Sequence, residues 1–219
     1  MNEKTSPDYE ALKKKVNELA EGPENKVAIE EKLKRFSEQG IPRKKIDPDE
    51  IIKNKEEVLD RVQKMAEAYE QVSQSCAKSS ALAIMEEFGL GNIKVVTALS
   101  PFPGIALTGE TCGGVIGGMA ALALYFGRDD LLDFGTNAKV YGKCRKFIQT
   151  FFVEMGTTKC RDIHEDVIFG QYYETADPNE GYSAFIRDKG FEKCGLPPGI
   201  GARISAGIII EDMEKKKAV

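Results

Sequence analysis

Cysteine is the residue type through which this sequence could do chemistry, and it occurs at Cys76, Cys112, Cys144, Cys160 and Cys194. A cysteine sulfur can ligate a metal or an iron–sulfur cluster, attack a disulfide as a thiolate, or lie inert in a hydrophobic core. Stable structural disulfides are rare in a reducing compartment, where we place this chain below. The residue type alone does not decide between metal or cluster ligation, thiolate chemistry and inert burial.

The surroundings of Cys112 are the most informative stretch, Gly109-Glu110-Thr111-Cys112-Gly113-Gly114-Val115-Ile116-Gly117-Gly118. We place Cys112 at the first turn of a helix, where free N–H groups and the helix dipole favour a thiolate or a cluster sulfur. The glycines admit either a bulky cofactor or another helix, and taken alone they favour helix packing. Neither G-x-G-x-x-G after a strand nor G-K-[S/T] occurs, so a dinucleotide-binding turn and a P-loop are not predicted.

The contexts of four cysteines resemble those of the C_GCAxxG_C_C family of redox-active proteins, named for four spaced cysteines and a C-G-A-x-x-G motif. The motif corresponds to residues 112–117, with Gly114 in place of the alanine. Cys76 corresponds to the family's first cysteine, on the preceding helix. Cys160 follows a phenylalanine-rich helix and a glycine, and Cys194 precedes a C-terminal helix of small residues, as the third and fourth cysteines do.

The resemblance covers residues 72–213 and extends to the cluster-binding part of split-Soret cytochromes. It implies a redox protein with an iron–sulfur cluster, [4Fe–4S] rather than [2Fe–2S]. The implied metal ligands are Cys76, Cys112, Cys160 and Cys194, with Gly113 as a further cofactor-binding residue. A c-type haem is not expected, because C-x-x-C-H is absent and His164 is the one histidine.

The spacing of the four cysteines says how such a site would have to form. The separations are 36, 48 and 34 residues. Compact C-x-x-C knuckles are absent, which disfavours a structural zinc ribbon. Four cysteines match the ligand count of a cluster, but a dispersed set needs the whole fold to assemble it.

Two further residues have a structural and a functional interpretation. Cys144 lies mid-helix outside the family pattern, and we predict a structural role for it. His164 follows Cys160 by four residues, one turn if that segment is helical. It could ligate a metal or donate to a cluster sulfur, but its charged neighbours favour a plain surface position.

Three functions follow from these patterns. The first is an iron–sulfur protein that passes electrons to a protein partner or serves as a subunit of a larger oxidoreductase. The second is metal-free thiol–disulfide chemistry, with Cys112 as the attacking thiolate. The third is a non-catalytic helical interaction module. No residue is predicted to be catalytic in its own right, and assembly as a homodimer is left open.

The elements that must position these residues are predicted to be all helical. Residues 1–70 read as a polar helical arm and residues 71–219 as the four-cysteine domain. The main helices of that domain are expected at residues 74–88, 112–126, 137–154 and 200–213. Structured loops are expected at residues 98–110 and 169–181, because proline and glycine are frequent there.

The composition limits which partners and which cellular location are expected. The 219 residues are 42% hydrophobic and 30% charged, with a net charge of −4 and no basic face, so nucleic acid is not an expected partner. The longest apolar stretch, residues 115–126, is too short to span a bilayer. The N-terminus lacks the apolar core of a secretory signal, and we therefore predict a cytoplasmic location.

Overall fold

The computed structural model describes residues 7–130, 132–177 and 179–218, and within them the predicted all-α fold is confirmed. This part of the chain forms no β-strand, and one isolated β-bridge joins Thr111 to Lys159. Of the described helices, none combines the length and the apolar character that crossing a membrane requires.

The helices follow one another along the chain in three groups. The first group is α1 (Tyr9–Leu19), α2 (Lys26–Gln39), α3 (Pro48–Lys53) and α4 (Lys55–Ser73). The second is α5 (Cys76–Glu87), α6 (Ile93–Ala98), the short α7 (Gly104–Leu107), α8 (Gly113–Phe126) and α9 (Phe134–Met155). The third is α10 (Cys160–Asp162), a π-helix (Ile163–Ile168), α11 (Gly181–Arg187), α12 (Gly190–Lys193) and α13 (Leu196–Lys217).

Helices α4, α5, α8 and α13 pack against one another and form the core, with α9 against α8 and α13. Helix α13 is buried around most of its circumference, and Ile208, Ile209 and Ile210 are all inaccessible to solvent. A helix that is apolar on all sides belongs inside a bundle. The C-terminal helix is therefore the central element around which the others pack.

The glycines of α8 let this helix approach two neighbours closely. A Cβ atom on Gly117 would lie 2.1 Å from the carbonyl oxygen of Ala77 on α5. A Cβ atom on Gly114 would lie 2.8 Å from the carbonyl oxygen of Pro197 on α13. Close helix packing is thus what these two glycines provide. It holds the start of α8 against the starts of α5 and α13.

Helix bounds differ from the prediction in instructive places. Helix α13 begins at Leu196 rather than at residue 200, with Pro197 and Pro198 in its first turn. Proline has no backbone N–H, and the first turn tolerates this because N–H groups there have no acceptor within the helix. The short helices α6, α11 and α12 and the π-helix were not predicted. Gly156 ends α9 with φ of 79°, as a C-cap glycine does.

The predicted boundary between arm and domain falls inside a helix. Helix α4 runs without a break from Lys55 to Ser73, across residues 70 and 71. Its buried residues Val62, Ala66 and Tyr69 face the core. The division at residue 70 stays a prediction, and α4 contributes both to the core and, as shown below, to the candidate site.

Candidate functional site

The fold brings four of the five cysteines to one place. Cys76, Cys112, Cys160 and Cys194 all line a cavity of about 530 Å³. Cys144 lies elsewhere, on α9, where it is partly buried and packs against the hydrophobic core. The four cysteines of the resemblance are therefore neighbours in space, although 34 to 48 residues separate consecutive ones in sequence.

Each of these four cysteines lies at the start of a helix. Cys76 is the first residue of α5, Cys112 is the N-cap of α8, and Cys160 is the first residue of α10. Cys194 directly precedes Gly195, the N-cap of α13. Because the first N–H groups of a helix have no intrahelical partner, those that do not pair with another loop are available to sulfur.

One such N–H group is already used. The backbone N–H of Gly113 donates to the sulfur of Cys76. A Cβ atom on Gly113 would lie 2.4 Å from that sulfur, so a side chain there would displace it. Gly113 thus brings Cys76 and Cys112 together, and the Cys76 thiol is hydrogen-bonded to Cys112.

Backbone hydrogen bonds hold Cys112 beside Cys160. The N–H of Cys112 donates to the carbonyl of Thr158 at 2.9 Å, and the N–H of Cys160 donates to the carbonyl of Glu110 at 2.7 Å. A third bond, from Arg161 N–H to the carbonyl of Gly109, measures 2.9 Å. This antiparallel pairing ties the two loops to each other and fixes the relative positions of the two sulfurs.

A left-handed turn covers one side of the cavity. Gly104, Ile105, Ala106 and Leu107 have φ angles between 50° and 64°. For residues other than glycine this conformation costs about 1–2 kcal/mol each, and such strain concentrates at functional sites. Gly104 approaches Cys160 so closely that a Cβ atom there would lie 3.2 Å from the sulfur.

Three of the four thiols of the site are kept uncharged at neutral pH. The hydrogen bond with Cys112, followed by burial, raises the pKa of Cys76 well above its usual value. Burial raises the pKa of Cys160 to about 12 and that of Cys194 well above the ordinary range. Removing the protons requires a positive charge in the cavity, since burial disfavours an isolated thiolate.

Alkylation tests this charge state. In metal-free protein we expect Cys76, Cys160 and Cys194 to react slowly with iodoacetamide at pH 7, and faster as the pH rises above about 9, because the thiolate is the nucleophile. Peptide mass spectrometry gives the rate at each position. The same chain in urea serves as the control. A site cysteine that reacts as fast in the folded protein at pH 7 as in urea would show that its thiolate is stabilised.

His164 is part of the site, and its predicted surface position is wrong. It lies in the π-helix and is 5% exposed. Its Nε2 atom is 3.8 Å from the Cys160 sulfur and 3.6 Å from the Cys194 sulfur. The buried Nδ1 atom has no hydrogen-bond partner. Burial lowers the pKa of His164 to about 4, so the ring is neutral at neutral pH.

Aromatic rings surround this imidazole. The ring of Phe185 stacks on His164 with 5.8 Å between centroids, and Phe169 meets it edge-on at 5.0 Å. Tyr172 lies 5.5 Å away and also lines the cavity. These rings enclose the imidazole and shield it from solvent. They are the reason why a histidine among charged neighbours is buried.

A weak sequence signal for this burial exists. Ile163, Val167 and Ile168 are buried together with His164, and their spacing places them on one side of a helical segment. The charged residues Glu165 and Asp166 take the exposed side. The apolar spacing, rather than the charges next to the histidine, was the informative pattern.

Glu70, on α4, also lines the cavity and was not predicted. It is 3% exposed, and burial raises its pKa to about 8. No motif surrounds it in the sequence, where it is one more acid on a charged helix. The packing of α4 against α5 is what places it at the cysteines.

The arrangement does not form a single-ion site. In residues 7–130, 132–177 and 179–218, no group of three or more histidine, cysteine or acidic side chains is close enough to hold one metal ion. A tetrahedral zinc site with Zn–S bonds of about 2.3 Å requires such a group. The four cysteines instead line one cavity together.

Comparison with protein families matches residues 74–195 to the family described as "Putative redox-active protein (C_GCAxxG_C_C)". The matched segment contains the four cavity cysteines and His164 and ends just before α13. Neither the curated proteins nor the solved structures contain a match to the chain. The likeness to split-Soret cytochromes stays a prediction. Because the match spans more than half of the sequence and includes all four cysteines of the site, the chain belongs to the C_GCAxxG_C_C family of redox-active proteins.

Proposed function

We propose that this protein holds an iron–sulfur cluster, of the [4Fe–4S] rather than the [2Fe–2S] type, and exchanges electrons with a protein partner or within a larger oxidoreductase. The ligands would be Cys76, Cys112, Cys160 and Cys194. The observation that carries the proposal is that these four thiols, and not Cys144, line one cavity. When bound, such a group would supply one-electron transfer.

The donor set fits a cluster better than a single ion. A cluster spreads its ligands over several iron atoms, so its cysteines lie further apart than the ligands of one ion. The cavity offers thiols of the right type and number, at helix starts whose N–H groups can hydrogen-bond sulfur. Neutral buried thiols suit metal binding, because the metal charge replaces their protons.

The position of His164 supports the same proposal. Its Nε2 atom lies near the sulfurs of Cys160 and Cys194. A ring N–H in that place can donate to ligand sulfurs, and hydrogen bonds to the sulfurs tune the reduction potential of a cluster. The aromatic rings around it make this side of the site less polar, and the polarity around a cluster also affects its reduction potential.

Metal-free dithiol chemistry is the second candidate, favoured by one observation. Cys76 and Cys112 interact directly with each other, as two thiols that exchange with a disulfide must. Oxidation would join the two sulfurs and release two electrons and two protons to an acceptor disulfide, which becomes a dithiol. The raised pKa of Cys76 slows this exchange, because attack requires a thiolate.

Anaerobic purification tests the first proposal directly. We expect brown protein with equal amounts of iron and acid-labile sulfide, in the stoichiometry that distinguishes [4Fe–4S] from [2Fe–2S]. Reduction by dithionite should bleach the visible absorbance reversibly. Colourless protein that takes up no iron and sulfide on reconstitution would refute cluster binding. Metal-free dithiol chemistry would then be the function that the site supports.

A further inference from the structure

Glu70 is a buried acid without a counter-ion. Four carboxyl groups are buried in the described part of the chain, and three of them form ion pairs. The pairs are Glu67 with Lys15, Glu87 with Arg61, and Asp212 with Lys139, Lys143 and Lys216. Glu70 forms none within these residues. A carboxylate without a cation is costly to bury, so Glu70 needs a proton or a positive charge nearby.

Hydrogen bonds connect Glu70 to the outside of the bundle. The hydroxyl of Ser79 lies 3.2 Å from Glu70 Oε2, and the N–H of Ser75 also donates to this carboxyl. The hydroxyl of Ser73 is 3.1 Å from that of Ser79. Ser73 is the partly exposed last residue of α4 and lines the cavity. Two hydroxyl groups, those of Ser73 and Ser79, thus lead from the partly exposed end of α4 to Glu70, and the Ser79 hydroxyl also lies 2.9 Å from the carbonyl oxygen of Ser75.

The titratable groups around Glu70 come from several elements packed near it. The titratable groups that share its cavity are Cys76 and Lys78 on α5, Cys112 before α8, Cys160 and His164 at and after α10, Tyr172, Tyr182, and Cys194 before α13. Lys78 is a cation in this cavity, but within the described residues it forms no ion pair with Glu70. Glu70 thus shares its cavity with sulfur and imidazole, and its negative charge raises the pKa of Cys76, Cys160 and Cys194.

We propose that Glu70 is the proton-binding partner of the cysteine site, taking up one proton through Ser73 and Ser79 when the site gains one electron. The electron comes from the reduced redox partner, the proton comes from solvent, and the ionised carboxylate becomes a carboxylic acid. Oxidation returns both. This inference rests on the proposed function and adds to it a coupling between electron and proton transfer.

The physical cause is electrostatic. An added electron makes the site more negative, and in a poorly polarisable interior a nearby carboxylate then binds its proton more tightly. Burial already raises the pKa of Glu70 to about 8, so the acid is protonated below that pH in both redox states. Above about pH 8 the carboxylate can ionise in the oxidised state, and reduction then takes up a proton.

The test is the reduction potential of the full chain as a function of pH. Above about pH 8 the equilibrium constant for one-electron reduction of the wild type should fall tenfold per pH unit. This corresponds to a decrease of about 59 mV per pH unit in the reduction potential. Glu70→Gln should show no slope, and Glu70→Asp should restore it. Glu67→Gln, a buried acid on the same helix outside the cavity, should behave as wild type. An equal slope in Glu70→Gln and wild type would overturn the coupling.

Infrared spectroscopy tests whether Glu70 holds a proton, independently of whether a cluster is bound. In iron-free protein the carbonyl band of a protonated carboxylic acid should be present at pH 7, shift on deuteration, and be missing in Glu70→Gln. Iron and sulfide analysis decides whether a cluster is bound, whereas this band decides whether Glu70 holds a proton. A band unchanged by Glu70→Gln would overturn the inference even if the protein is brown.

Discussion

Cys194→Ser is expected to lower the iron content of the protein more than about tenfold, because a neutral hydroxyl replaces one of four thiolate ligands. Changes in groups that merely orient a ligand already cost about 10–100-fold in metal affinity. The substitution is nearly isosteric, and Cys194 ends α12 before the well-packed start of α13, so the fold should persist. Iron, sulfide and visible absorbance after anaerobic purification are the measurements.

Cys144→Ser is the matched control, because that cysteine is also partly buried but lies on α9 away from the cavity. It should keep the wild-type iron content. Cys194→Ser also separates the two proposed functions, since it leaves the Cys76–Cys112 pair intact. Redox activity that survives in this variant, with reversible oxidation of that pair, would favour dithiol chemistry. Iron loss as large in Cys144→Ser would contradict the four-ligand assignment.

Gly117→Ala is expected to destabilise the protein by roughly 3 kcal/mol, the upper end of the usual cost of overpacking. The added methyl would lie 2.1 Å from the carbonyl oxygen of Ala77, and backbone cannot give way as a flexible side chain can. Helices α5 and α8 must then separate. A loss of this size lowers the melting temperature by roughly 6–12 °C in a chain of this length.

Gly142→Ala provides the opposite expectation. This glycine lies within α9, and no atom lies within 4 Å of the point that an added Cβ would occupy, so alanine should raise helix stability by roughly 0.5–1 kcal/mol. Urea and thermal unfolding of both variants give the comparison. An unchanged melting temperature for Gly117→Ala would show that the two helices can shift apart easily. Weaker iron binding in Gly117→Ala would show that their spacing also sets the distance from Cys76 to Cys112.

Much of the fold could be predicted from the residues themselves. Apolar spacing, helix caps and glycine stops are local signals, and they predicted α5, α8, α9 and the all-helical class. The short helices α6, α11 and α12 were missed because helices of four to seven residues depend on packing rather than on their own sequence. Their bounds are decided by the neighbours they contact.

The candidate site divides in the same way. The cysteine contexts were readable, because a glycine-rich helix start and an ordered set of four cysteines are properties of sequence. Glu70 was not readable, and His164 was so only through the apolar spacing around it, since the burial of each depends on distant elements. Helix α4 brings Glu70 to the cavity, and rings from residues 169–185 enclose His164.

The sequence by itself predicted that the chain is helical and that four of its five cysteines belong together. The tertiary structure alone decided how they meet. Cysteines that lie 34 to 48 positions apart in the sequence become neighbours for two reasons. The glycines of α8 let this helix touch α5 and α13, and two loops pair with each other beside Cys112 and Cys160. Such contacts depend on the distance between backbones, which no local pattern of side chains encodes.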